Sequence, residues 1–178
     1  MRVPARRGPK CGAKDLASQQ MQEYVRALKQ IDFDLAYLAL LTGEGTKPLS
    51  RWEKPLDTGG LGLLQQLGLL TKQIHRSVKT GKEIVETVFS RLPGYIQLYQ
   101  ERFADTPIDK SAETQRLEGF LFGYPACCVD AYIRRPYAPN GLPQQDQKIL
   151  FHWACTNCKI TPLLLPAYKM LHDLLRSY

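Results

Sequence analysis

The chain has 178 residues, 44% of them hydrophobic and 23% charged, a size and composition that allow one buried core and exclude wholesale disorder. Its apolar runs are far shorter than the ~20 residues that cross a bilayer, and no apolar segment follows the basic start, so we expect no membrane span and no secretory signal. The net charge is +7, and five cysteines, an odd number, do not fit the disulfide framework of a small secreted protein, so we expect a cytoplasmic protein.

The chain divides into a short leader and one larger unit. We predict that residues 1–14 form a basic, flexible leader, which contains Cys11. We predict that residues 15–178 form a single globular domain, with a helix and hairpin half at 15–110 and a helical, cysteine-containing half at 111–178.

The first half begins with helical patterns. Apolar residues recur at three- and four-residue steps from Asp15 to Leu41, which predicts one helix with a core-facing side. A polar connection from Ser50 to Gly60 follows, and the sequence from Leu61 to Leu70 predicts a short apolar helix.

The helical period fades in the middle of the chain. Between Gln73 and Phe89, apolar residues flank the turn-like sequence Lys79-Thr80-Gly81-Lys82, which predicts a β-hairpin. The predicted fold class is therefore α+β, predominantly helical, with a small antiparallel β-hairpin or sheet in the middle.

Basic residues gather in the leader and around this hairpin. Clustered lysine and arginine attract phosphate backbones through counterion release, and a helix followed by a basic hairpin also occurs in winged-helix modules. One hypothesis is therefore a nucleic-acid-binding module, and the alternative is a solvated tail with a solvated strand face. The residues concerned are Arg6, Arg7, Lys72, Arg76, Lys79 and Lys82.

Proline and capping signals divide the second half into helices. The expected helices run from Pro93 to about Ala104, from Ser111 to Phe122, from Pro125 onward, from Pro143 to about His152, and from Thr161 or Leu165 to the end.

Four of the cysteines stand in two close pairs in the last third. Pro125 places Cys127 and Cys128 in the first turn of a helix, where the positive end of the helix dipole stabilises thiolate over thiol. At about 100° per residue, Cys128 lies at the edge of the buried side and Cys127 faces away. Adjacent cysteines make a poor disulfide, because their Cα atoms are closer than a relaxed bridge prefers. Each is therefore available to bind something else.

The second cysteine element contains His152, Cys155 and Cys158. His-x-x-Cys spans one helical turn, and Cys-x-x-Cys is a spacing at which two thiolates chelate one ion. With Cys127 and Cys128, these residues supply four thiolates, or three thiolates and an imidazole, for zinc or an iron-sulfur cluster.

Two alternatives to metal binding stay open at this point. One is a metal-free redox or nucleophilic site, with Cys127 as the exposed nucleophile and Cys155 or Cys158 as its resolving partner. The other is a set of buried structural cysteines, because free cysteine is among the most buried residue types.

A family resemblance rests on the segment 122–132, which reads Phe-Gly-Tyr-Pro-Ala-Cys-Cys-Val-Asp-Ala-Tyr. It resembles the uncharacterised prokaryotic domain of unknown function 483 family, which is built around a GYPxCC motif. The resemblance covers the C-terminal half and implies that the two cysteine elements belong to one unit, but it implies no activity. In the family pattern a proline comes just before the first cysteine of the second element and the cysteine spacing is wider, whereas this chain has Ala154 and Cys-x-x-Cys in those places.

Motifs of common enzyme classes are absent from the sequence. It contains no phosphate-binding loop, nucleophile elbow, H-E-x-x-H or dinucleotide fingerprint, and no paired carboxylates at a useful spacing. We therefore set aside nucleotide and glycoside hydrolysis, and the sequence leaves open whether the protein is an enzyme. The leading prediction is a metal site formed by Cys127, Cys128, His152, Cys155 and Cys158.

Overall fold

The computed structural model describes residues 19–78 and 80–178. This part of the chain contains eight helices and one three-stranded antiparallel sheet, so the fold is α+β, as predicted. The helices are α1 (Gln19–Ile31), α2 (Phe33–Gly43), α3 (Thr58–Gln66), α4 (Pro93–Phe103), α5 (Ala112–Leu121), α6 (Ala126–Arg134), α7 (Gln144–Lys148) and α8 (Thr161–Ser177). The strands are β1 (Ser50–Trp52), β2 (Leu70–Ser77) and β3 (Glu83–Ser90). The predicted leader, with Arg6, Arg7 and Cys11, lies outside the described residues, and so does Lys79.

The first predicted helix is two helices in the structure. The chain breaks at Asp32, whose backbone is extended and whose side chain accepts a hydrogen bond of 2.8 Å from the Asp34 N–H. Asp32 is therefore the N-cap of α2, a position that favours aspartate because its carboxylate satisfies a free backbone donor. Helix α2 buries every residue from Leu35 to Thr42, whereas α1 buries only Val25 and Leu28.

The predicted hairpin is confirmed, and a third strand extends it. Strands β2 and β3 pair in register from Leu70 with Ser90 to Ser77 with Glu83. Strand β1 pairs with the other edge of β3, which gives the order β1-β3-β2. The prediction of a helix up to Leu70 was wrong at both ends, because Asp57 caps α3 earlier and Leu70 already belongs to β2.

The sheet lies between two hydrophobic clusters. Neighbouring residues of a strand point to opposite faces, and on the central strand Val88 belongs to one cluster and Phe89 to the other. The Phe89 cluster includes buried residues of α2, α3 and α8, and the Val88 cluster includes those of α4 and α5. Among the described residues, no helix is both long and apolar enough to cross a membrane.

Helix α7 is much shorter than predicted. It ends at Lys148, so His152 lies in the following loop and not near the end of a helix. The Gln147 side chain holds this loop: its Nε2 donates to the His152 carbonyl (2.9 Å) and its Oε1 accepts from the Ala154 N–H (3.3 Å). These bonds satisfy loop backbone groups that a continuing helix would otherwise pair.

Candidate metal centre

The Gly-Tyr-Pro sequence sets the direction in which α6 leaves α5. Gly123 has a φ of +71°, and a Cβ built on it would lie 2.7 Å from Pro48 Cδ, so both conformation and space require glycine. The next residue, Tyr124, donates its N–H to the Gly119 carbonyl (2.8 Å) and closes α5. Pro125 then caps α6 and brings Cys127 and Cys128 into its first turn, as predicted.

A tight turn presents the second cysteine pair. The Cys158 N–H donates to the Cys155 carbonyl at 3.2 Å, and Asn157 between them has a φ of +60°. Asparagine tolerates this left-handed conformation better than other non-glycine residues. The Cys155–Cys158 segment therefore reverses direction and directs both cysteine side chains to the same side.

The four cysteines form one group, which we call the four-cysteine cluster: Cys127, Cys128, Cys155 and Cys158. Their sulfur atoms all lie within 4.8 Å of one another. Cys158 Sγ is 3.4 Å from Cys128 Sγ and 3.6 Å from Cys127 Sγ. The structure thus brings together, from two elements some 30 positions apart in sequence, thiols that are close enough to bind one metal ion.

The two adjacent cysteines differ in exposure, as the helical phase predicts. Cys128 is buried and Cys127 is exposed. The cluster therefore lies at the protein surface, with one sulfur inside and one at the rim.

Hydrogen bonds to sulfur surround the buried side of the cluster. The Cys155 N–H donates to Cys128 Sγ at 3.3 Å, and the Thr161 N–H at the start of α8 donates to Cys158 Sγ at 3.2 Å. Thr161 Oγ1 lies 3.6 Å from Cys128 Sγ. Such donors stabilise thiolates and orient them as ligands.

These contacts make Cys158 the acidic thiol. Burial opposes ionisation of Cys158, but the Thr161 hydroxyl and the backbone N–H groups of Thr161 and Ile160 lower its pKa to about 6. Desolvation and the nearby Cys158 and Cys155 thiols instead raise the pKa of Cys127 to about 11. Burial also raises the pKa of Cys128. These directions run against the prediction that the helix start favours thiolate at Cys127 and Cys128, because desolvation and the neighbouring thiols oppose ionisation of the free thiols.

His152 lies beside the four-cysteine cluster and is not one of its members. Its Nε2 is 3.0 Å from Thr161 Oγ1, so one hydroxyl group separates the imidazole from Cys128 Sγ. Burial and the nearby Lys47 lower the pKa of His152 to about 4, which leaves the ring neutral at neutral pH. The predicted one-turn relation between His152 and Cys155 required a helix, and this part of the chain is a loop.

A cleft of about 620 Å³ opens next to the cluster, and the sequence did not predict it. Its walls come from β1, α5, α6, the turn between these two helices and the segment 137–153, and both Cys128 and His152 contribute to them. The available signal was the number of aromatic residues between the two cysteine pairs, four of which line the cleft: Tyr132, Tyr137, Phe151 and Trp153.

Only some of the basic residues that were predicted to contact phosphate are exposed in the described part of the chain. Arg76 is buried and pairs with Glu86 (3.7 Å) and Glu118 (3.6 Å), because it shares the inward face of β2 with Ile74. Its assignment as a phosphate contact was therefore wrong. Lys72 and Lys82 are exposed, as the hypothesis requires, and the remaining basic residues lie outside the described ranges.

No protein-family description, curated protein or solved structure matches this chain. Membership of the GYPxCC family therefore stays a prediction.

Proposed function

We propose that the four-cysteine cluster binds one zinc ion through four thiolates. Tetrahedral zinc with Zn–S distances of ~2.3 Å needs sulfur atoms roughly 3.8 Å apart. The sulfurs of this cluster lie within 4.8 Å of one another, with close pairs at 3.4 and 3.6 Å, which supports a single ion at their centre. This spacing is the observation that carries the proposal.

The same spacing favours zinc over an iron-sulfur cluster. An iron-sulfur cluster of two or four irons is itself wider than one ion, so its cysteine ligands stand farther apart. Four thiolates also complete tetrahedral coordination, so the imidazole of His152 is not needed as a ligand.

The role we propose for this ion is structural. Four protein ligands leave no position for water or substrate, which is typical of structural zinc. Zinc would join the first turn of α6 to the Cys155–Cys158 turn, and the Thr161 N–H bond to Cys158 Sγ extends the connection to α8. The N–H donors to sulfur supply the surrounding hydrogen bonds that such sites use.

Elemental analysis of protein purified without chelator tests this proposal. We expect one zinc per chain in the wild type, loss of that zinc in Cys158→Ser, and full zinc content in the matched control Cys11→Ser. His152→Ala is also expected to keep its zinc. Cobalt substitution should give the visible spectrum of a tetrahedral thiolate site. Iron with inorganic sulfide, or zinc lost in His152→Ala as completely as in Cys158→Ser, would contradict the assignment.

A metal-free thiol site is the second candidate, favoured by the pKa of about 6 at Cys158 and its 3.4 Å approach to Cys128 Sγ. In that case Cys158 is the nucleophile, whereas the sequence suggested Cys127. Alkylation by iodoacetamide at pH 7 separates the two candidates. Rapid, selective modification of Cys158 in untreated protein supports the thiol site, and modification that requires prior chelation supports zinc.

A further inference from the structure

The cleft beside the four-cysteine cluster has an aromatic wall. Tyr137 stands between Tyr132 and Trp153, with ring centroids 5.1 and 5.4 Å away and interplanar angles of 84° and 79°. The Trp153 indole N–H donates to the Ala138 carbonyl at 2.7 Å, which fixes that ring. Large aromatic faces in a cleft of about 620 Å³ suit a flat ligand of small-molecule size.

Tyr137 has two features that core packing does not explain. Its side chain is 66% exposed, and its backbone φ is +57°, a conformation that is unusual for a bulky residue. Strained backbone conformations of this kind concentrate at ligand-binding and active sites. Both features therefore point to a role for the Tyr137 ring at the cleft.

His152, one of the residues that line the cleft, has an unsatisfied polar atom. Its Nδ1 is buried and has no hydrogen-bond partner among the residues that the structure describes. A zinc-bound thiolate at Cys128 can only accept a hydrogen bond, so in its contact with Thr161 the hydroxyl group is the donor. The Thr161 oxygen then accepts a hydrogen bond from His152 Nε2–H. The neutral ring then has its lone pair on Nδ1, which makes Nδ1 an acceptor. This step rests on the proposed zinc site.

We propose that the cleft binds a planar nitrogen heterocycle, which stacks on the Tyr137 wall and donates a ring N–H to His152 Nδ1. The ligand supplies the donor that the buried nitrogen lacks. Arg51 and Glu118, which also line the cleft, form a salt bridge with each other, so neither requires a charge on the ring. The bound molecule would lie against the zinc ligand Cys128 without taking a coordination position.

Benzimidazole and 1-methylbenzimidazole form a matched pair of probes, because they share a shape and only the first has a ring N–H. In zinc-loaded protein labelled with ¹⁵N-histidine, we expect His152 to carry its proton on Nε2 and to show an unprotonated Nδ1. Benzimidazole should shift the Nδ1 resonance, and the methylated probe should bind about tenfold more weakly without that shift.

Two variants test the aromatic wall. Tyr137→Asn removes the ring while keeping a residue that tolerates positive φ, and should weaken benzimidazole binding about tenfold. Phe120→Ser removes another exposed aromatic ring, 61% exposed on α5 and outside the cleft, and should leave binding unchanged.

Equal affinity for the two probes, unchanged binding in Tyr137→Asn, or no binding of benzimidazole would each overturn the inference. The zinc content of the same samples tests the metal site separately. One zinc per chain with no probe binding leaves the proposed function standing and removes only the ligand site.

Discussion

The side-chain amine of Lys47 lies in the protein interior, where few groups stabilise its charge. Its side chain is 2% exposed, and Nζ donates to the Phe122 carbonyl at 2.8 Å. The rings of Tyr124 and Phe151 lie 4.5 and 5.6 Å from Nζ, and no carboxylate among the described residues forms a salt bridge with it. Burial lowers the pKa of Lys47 from 10.5 to about 7. The protonated form is therefore disfavoured in the folded protein.

The Lys47 pKa predicts a pH dependence of stability. Between pH 7 and 10 the unfolded chain, with a normal lysine pKa, binds a proton that the folded protein does not, so this residue makes stability rise with pH. We expect the free energy of unfolding of the wild type, minus that of Lys47→Met, to increase from pH 7 to pH 9 by up to about 1.4 kcal/mol per pH unit. Urea denaturation at several pH values measures this difference.

Comparing the wild type with Lys47→Met isolates the contribution of Lys47 to the pH dependence, because both proteins contain the same titrating thiols. Lys110→Met, which removes an exposed lysine, should give a difference that is flat over the same range. A flat difference for Lys47→Met as well would mean that the buried amine stays protonated, held by the carbonyl and the aromatic rings.

At the scale of elements, the close crossing of α5 and α6 positions the cysteines of α6. Gly119 is buried on α5, and a Cβ built there would overlap Val129 Cγ2 on α6. Glycine thus lets the two helices approach, and this approach holds the first turn of α6 near the Cys155–Cys158 turn.

We expect Gly119→Ala to destabilise the protein by ~1–3 kcal/mol, because the added methyl group overpacks the crossing. A second substitution, Val129→Ala, added to the Gly119→Ala protein should recover much of the lost stability, because it removes the methyl group that the new Cβ overlaps. Gly94→Ala is the matched control: Gly94 lies in α4, and a Cβ built on it would face open space, so alanine there should be neutral or stabilising by a few tenths of a kcal/mol to ~1 kcal/mol. Urea midpoints compare the variants, and equal effects at Gly119 and Gly94 would contradict the packing argument.

Elements were predictable where local chemistry sets their ends. The helix starts predicted at Pro93, Ser111 and Pro125 are confirmed, and the apolar residues that flank the turn-like sequence from Lys79 to Lys82 predicted the hairpin. The break at Asp32 was not predictable from periodicity, because apolar spacing continues across it. The end of α7 depends on Gln147 side-chain bonds to the loop, which no periodic pattern records.

The candidate site, too, was predictable only where the local sequence determines its structure. The helical phase predicted the different exposures of Cys127 and Cys128. The short sequence spacing within each pair predicted that its two cysteines lie close together. The acidity of Cys158 depends on Thr161 at the start of another helix, and the cleft depends on walls from several separate segments. Such contacts arise only from the tertiary fold.

At the scale of the whole molecule, the four-cysteine cluster connects parts of the protein that belong to different hydrophobic clusters. Helix α6 packs on α5, whose Leu121 lies in the cluster with Val88, whereas Tyr168 and Leu171 of α8 lie in the cluster with Phe89. Both clusters contain many fully buried side chains that do not contact the cysteines. A bound zinc ion therefore adds a local connection at the edge of a core that is already formed.

This arrangement predicts a local effect of metal removal. Chelation should increase hydrogen exchange about tenfold or more in the first turn of α6, in the residues 155–158 and in the first turn of α8, where cysteines and Thr161 hold the chain. Amides of the central strand β3 should keep their protection, because they lie between the two hydrophobic clusters. Cys158→Ser should show the same pattern without chelator and no further change when chelator is added. Parallel loss of protection in β3 would mean instead that the metal is required for the whole fold, since the two clusters would then not hold the sheet without it.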